Sequence, residues 1–227
     1  MQPIEAILFE PVGCLAEFAP EEFDAIAGRV FGRPPAPGRS GSEAYWDVLR
    51  LMDTGGKQLT ARERAMIEDH EIQAVDRVRA YEDVAPALAE LKELGITSIV
   101  ASSLSTGAVT RFLEKFSLVD SFADVWSRNT AGGVKDVPLT KALTSRSMRS
   151  DRVMFITDTA EGLQTAKRAG VNAILMMNDP DEAMKLTAHD PAGGIVSLHE
   201  LPDFVRLVAA ENARSEGASL HFAPHRA

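Results

Sequence analysis

The sequence predicts an α/β fold: a doubly wound parallel sheet that carries a small all-helical insert. Three observations carry this reading. Short apolar runs bounded by Gly, Pro or polar residues recur at Ala6 to Phe9, Ser98 to Ala101, Arg152 to Ile156 and Asn172 to Met176, as buried strands do. From residue 82 onward these runs alternate with stretches of helical period, which argues for a parallel sheet with helices on both faces. Between residues 16 and 81 only helical periodicity is found. The expected organisation is an α/β core over 1–15 and 82–205, a helical insert over 16–81, and a helix end with a flexible tail over 206–227.

In chain order, the run Ala6-Ile7-Leu8-Phe9 stops at Glu10-Pro11-Val12-Gly13, and a strand this early is expected mid-sheet. Phe23, Ile26, Ala27, Val30 and Phe31 then share one helical face, with Pro20 suited to the first turn and Gly32 and Pro34 to the end. Gly32 to Gly41 is rich in Pro and Gly and reads as a loop. Ser42 is placed to cap a helix bearing Trp46, Leu49 and Met52. Thr60 and Glu63 have capping-box spacing for a helix running towards Val78. Asp83 is placed to cap a helix with Val84, Leu88 and Leu91, which Gly95 stops. Thr106 starts a helix with Val109, Phe112, Leu113 and Phe116, and Thr159 to Ala169 forms another, stopped by Gly170. A last helix is expected over 197–213, and Ser215 to Ala227 reads as disordered.

Composition narrows the function. Of 227 residues, 45% are hydrophobic and 25% charged, ordinary for a globular protein of one sizeable core. The net charge of −9 repels a polyanion on average, and no Lys/Arg cluster is interleaved with aromatics, so nucleic-acid binding is not expected. A single cysteine, Cys14, precludes an intrachain disulfide and fits a reducing compartment. No apolar run approaches the roughly 20 residues of a membrane helix, and the first residues lack the basic start of a secretory signal. Cytoplasmic residence is expected. The five histidines show no metal-ligand spacing.

Ligands of open α/β sheets bind at the carboxyl ends of the strands. There the sequence offers Glu10-Pro11-Val12-Gly13-Cys14-Leu15, then Ser102-Ser103, then Gly133-Val134-Lys135 in a loop, then Thr157-Asp158-Thr159. This order resembles the haloacid-dehalogenase-like (HAD) superfamily. Its members carry Asp-x-Asp-Gly after the first strand, a Ser or Thr after the second, a Lys in a Gly-Lys-Pro-like loop, and an acidic Gly-Asp-Ser-x-x-Asp segment before Ala-Gly. Tyr81-Glu82-Asp83-Val84 to Gly95 is similar to the family's return helix after its cap, and the resemblance runs over roughly residues 4 to 205. It implies a Rossmann-like core with a helical cap. It implies Glu10, Ser102, Lys135 and Asp158 as the catalytic set, with Ser102 and Lys135 holding phosphate. It further implies Mg2+ held by Glu10, the carbonyl of Val12 and Asp158, oxygen donors that suit a hard cation.

The chain departs from the family where the chemistry is. Glu10 replaces the nucleophilic aspartate, one methylene further out. Val12 replaces the general acid/base and moves no proton. Gly162 stands where a further acid belongs, with Glu161 as a neighbouring substitute. The expectation is therefore a divergent hydrolase-like protein with weak or lost phosphatase activity, acting on a small phosphorylated metabolite. The alternative is a non-catalytic binding or regulatory module with an unidentified protein partner. In that case Glu10 imitates the charged, closed state and the cap is closed without ligand. A dehalogenase would need the missing aspartate too, and a receiver domain would be shorter, without the insert.

Overall fold

The computed structural model describes residues 3–53 and 59–220, with 212–220 as helix backbone alone. Strands β1 (Ala6–Phe9), β2 (Thr97–Ala101), β3 (Asp124–Trp126), β4 (Val153–Thr157), β5 (Asn172–Met176) and β6 (Gly193–Ile195) form one sheet. Its order is β3-β2-β1-β4-β5-β6, with every pair parallel. The order reverses at β1, which lies mid-sheet between β2 and β4. That reversal opens the crevice where doubly wound sheets take their ligands.

Eleven helices are described: α1 (Pro11–Cys14), α2 (Pro20–Ile26), α3 (Gly41–Asp53), α4 (Ala61–Arg77), α5 (Val84–Glu93), α6 (Thr106–Lys115), α7 (Arg128–Ala131), α8 (Asp136–Ser145), α9 (Ala160–Ala169), α10 (Pro180–Leu186) and α11 (Glu200–Leu220). They cover both faces of the sheet. Successive residues of a strand point to opposite faces. Ile7 and Phe9 therefore join one buried cluster that extends into the insert, while Ala6 and Leu8 join a second with Leu139, Leu143 and Leu163.

The insert is α2, a π-helical continuation over Ala27–Phe31, α3 and α4. Local chemistry shapes it. Pro20 sits in the first turn of α2, Gly32 closes the π segment in the left-handed region, and Thr60 and Glu63 form a reciprocal capping box. The ends of the insert are pinned together by a bridge between Ala16 and Ala80 and by the Tyr81 amide donating to Leu15 O.

Three expectations change. Ser42 is not the cap of α3, which starts at Gly41; its hydroxyl is engaged elsewhere. Asp83 flanks α5 without capping it; its carboxylate instead accepts from the Ser197 hydroxyl at 2.6 Å and the Leu198 amide at 2.7 Å. The last helix runs to Leu220 rather than ending near 213, because Ala, Glu and Arg over 209–214 are strong helix formers. The remainder of the expected tail, 221–227, lies outside the described residues. Strands β3 and β6 were not legible, being three residues each. Among the described residues no helix is long and apolar enough to cross a membrane.

Candidate active site

Register places the strand ends together. Phe9 pairs with Val100 on one side and Ile156 on the other, so Glu10 comes level with Ala101 and Thr157, and Ser102 and Asp158 follow one residue later. After Glu10 the chain turns through Val12 and Gly13, the latter at φ 76°. Gly13 is required twice: by that left-handed φ, and because a Cβ there would lie 2.1 Å from Asp158 Oδ2 and 2.2 Å from Ser42 Oγ.

The Glu10 carboxylate turns towards β2. It accepts from the Ser102 hydroxyl through Oε1 and from the Ser103 amide through Oε2 at 3.2 Å. Burial pushes its pKa from an ordinary 4.5 up to about 8, against the opposing pull of those two donors. Val12 is buried in the apolar core, as its side chain dictates. Asp158 accepts from the Ser42 hydroxyl at 2.6 Å and the Asn178 amide at 3.2 Å. Burial raises it to about 6, again against the pull of these donors. Asn178 also donates to Gly13 O at 2.8 Å, tying the β1 turn to the end of β5.

Lys135 joins the site by its backbone and leaves it by its side chain. Its amide donates to Ser103 Oγ at 2.7 Å, while its ammonium donates to Asp53 on α3 at 2.8 Å. The backbone at Lys135 has φ 62°, an uncommon conformation for a residue with a side chain. Glu161 pairs with Arg50 of α3 and does not stand in for the acid absent at Gly162. A Cβ at Gly162 would lie 1.8 Å from Thr157 Oγ1, so the helix start has no room for a side chain there. Thr159 caps α9 through Gly162 N at 3.1 Å. Cys14 donates its thiol to Ile156 O, and burial pushes its pKa up; it is a small core residue.

The insert supplies a second layer that no family motif marks. Glu71 on α4 is 1% exposed and accepts from Arg128 through both oxygens, at 2.6 and 3.0 Å, and from the Ser105 amide at 3.0 Å. Arg128 also donates to Ser103 O at 3.0 Å. The pair therefore fixes the loop that offers Ser102 and Ser103 to Glu10. Its signal was in the sequence: Ile67, Glu71, Ala74, Val75 and Val78 share one helical face, so a carboxylate sits on a buried stripe. On α3, Ser42, Tyr45, Leu49 and Asp53 are likewise spaced along one face, which lies over the strand ends.

Of the implied Mg2+ donors, both Glu10 oxygens are held on the β2 side, while Asp158 accepts from Ser42 and Asn178 through Oδ2 alone; a near-octahedral Mg2+ site would require Glu10 to turn from Ser102 and Ser103. Among the described residues no group of three or more His, Cys, Asp or Glu is placed to hold a metal ion.

The model of the haloacid dehalogenase-like hydrolase family matches residues 47–176, more than half of the chain. The chain belongs to this family. The matched segment takes in Ser102, Lys135 and Asp158 and begins after Glu10. The HAD fold is equally plain in solved structures. A haloacid dehalogenase-like protein of unknown function from Agrobacterium tumefaciens is 20% identical with a TM-score of 0.66, covering 91% of this chain and 99% of that one. L-2-haloacid dehalogenase from Xanthobacter autotrophicus, with chloropropionic acid covalently bound, is 19% identical with a TM-score of 0.60, covering 89% and 98%. CbbY from Rhodobacter sphaeroides, in complex with phosphate, is 21% identical with a TM-score of 0.62, covering 87% and 96%. A search of curated proteins returned no match.

Proposed function

We propose that this HAD-family chain is a divergent hydrolase-like protein that receives a small phosphorylated molecule and hydrolyses it weakly or not at all. The observation that carries this reading is the position of Glu10. Its carboxylate lies on the Ser102 hydroxyl and the Ser103 amide, two donors that would otherwise be free to hold an oxyanion. A nucleophile displaced by about 1 Å loses on the order of a hundredfold, and the missing proton at Val12 a further 10²–10⁴ roughly. If the two effects multiplied, about 10⁴–10⁶ would be lost. The phosphate in the CbbY complex supports an oxyanion as the ligand class.

Magnesium-dependent hydrolysis of p-nitrophenyl phosphate and a metabolite panel tests this. Wild type is expected to be slow or silent, and the double change Glu10→Asp with Val12→Asp to gain turnover. Rapid wild-type turnover that Glu10→Ala abolishes would sink the reading.

A second reading, a regulatory module with a protein partner, is favoured by the contacts between cap and core: helix α3 is tied down by Ser42 to Asp158, Arg50 to Glu161 and Asp53 to Lys135. Under this reading the restored double variant also stays silent, because the cap does not open.

A further inference from the structure

Between the π segment and α3 the chain reads Gly32-Arg33-Pro34-Pro35-Ala36-Pro37-Gly38-Arg39, a feature that the strand-end site does not use. Residues 32–38 are all exposed, and 33–36 lie in neither helix nor strand, ahead of a turn at Pro37 and Gly38. Covalent geometry sets their conformation. Each proline ring fixes φ at about −65°, at 34, 35 and 37. Arg33, Pro34 and Ala36 each precede a proline, which disfavours the helical region and leaves them extended. The segment is therefore a polyproline II ridge of about one turn.

Both ends of the ridge are held. At the front, Gly32 closes the π segment at φ 64°, and the Arg33 amide donates to Ala27 O at 3.3 Å. At the back, Gly38 turns the chain at φ 71°. Arg39, its side chain 11% exposed, then pairs with Asp24 of α2 and Asp47 of α3. A groove of about 530 Å3 is lined by Pro35, Ala36 and Pro37 together with Pro20, Glu21 and Ala25, so the ridge is not packed flat onto α2. Proline rings left in water add no burial to the core. They offer an apolar surface that is already ordered, so binding it loses little further conformational entropy.

The chemistry that recognises such a ridge is a groove lined by aromatic rings, which takes prolines at the spacing of Pro34 and Pro37. Arg33 stands exposed immediately before the first of them, where a carboxylate beside the groove would meet it. Arg39 is already committed to Asp24 and Asp47, so Arg33 is the cation that the ridge presents.

We propose that the ridge over 33–37 is a docking site for a protein partner whose aromatic-lined groove, flanked by an acidic residue, binds polyproline II. The proposal uses none of the strand-end residues, and its failure leaves the hydrolase-like reading standing.

The test titrates the full chain into isotope-labelled SH3 and WW domains, whose grooves are of this kind, up to about 1 mM, the weak end of measurable affinity. Resonance shifts confined to the aromatic groove of one of them are expected. Pro34→Ala with Pro37→Ala should weaken binding by roughly tenfold or more, as loss of anchoring residues does. Arg33→Glu should weaken it roughly threefold or more, and added salt should weaken the wild type. These positions are exposed, so the thermal midpoint should fall by a few degrees at most. Binding that survives the double proline change overturns the proposal, as does the absence of shifts in both domains. A wild type that sediments as a dimer, which the proline changes dissociate, also overturns it, because the occupant is then a second copy of this chain.

Discussion

The Ser42 hydroxyl of the cap donates to the Asp158 carboxylate of the core across 2.6 Å. One hydrogen bond thus joins the start of α3 to the end of β4, directly over the Gly13 turn. It offsets part of the charge on a buried carboxylate and ties the cap to the core.

Removing that hydroxyl leaves Asp158 with the exposed Asn178 amide alone. Ser42→Ala is expected to cost about 1–3 kcal/mol, the penalty for a shielded acceptor that loses its donor. Urea unfolding measures the loss, and hydrogen exchange along α3 should speed up. Unchanged exchange there would mean that other contacts hold the cap.

Stability should fall as pH rises through the site's range. Glu10 is raised from 4.5 to about 8 and Asp158 from 3.8 to about 6. The folded protein therefore binds more protons than the unfolded chain between about pH 4 and pH 8, so the stability they contribute is present at the acid end and lost towards pH 8. Glu10→Gln, which cannot ionise, should flatten the upper part of that decline in a series of thermal midpoints. A steeper decline in the variant would refute the assignment.

The Glu71–Arg128 pair should behave as a buried one. Glu71→Ala strands a guanidinium that is 13% exposed and takes the acceptor from the Ser105 amide, so a loss of about 3–5 kcal/mol is expected. Replacing both partners, Glu71→Leu with Arg128→Met, should recover much of it. A double variant as unstable as the single one would show that the network acts through Ser103 and Ser105 rather than as a charge pair.

The Asp53–Lys135 pair should matter far less to stability. Asp53 is 57% exposed, where solvent screening holds such pairs to about 0–1 kcal/mol. Asp53→Asn is expected to leave the unfolding midpoint within a degree or two while releasing the ammonium. A large drop would mean that the cap hinges on this contact.

Gly13→Ala is the most damaging single methyl here. It meets Asp158 and Ser42 oxygens at 2.1 and 2.2 Å and adopts φ 76°. Failure to fold, or a loss of several kcal/mol, is expected by circular dichroism; a near-native midpoint would require the β1 turn to be other than described.

The sequence by itself determined the α/β class, the mid-sheet position of β1 and the presence of Glu10, Ser102 and Asp158 at strand ends, because hydrophobic period and strand-terminal punctuation are local signals. The Thr60–Glu63 capping box and the stops at Gly32, Gly95 and Gly170 were legible for the same reason. What the tertiary structure decided lies between segments far apart in the chain. Ser42 looked like a helix cap and instead reaches Asp158; Lys135, expected at phosphate, pairs with Asp53; Glu71 stood out as a carboxylate on a buried helical stripe, but its partner Arg128 carried no local signal. A side chain's partner depends on which helix packs over which strand end, and that is set by burial of apolar faces summed over the whole core, which no short stretch of sequence contains.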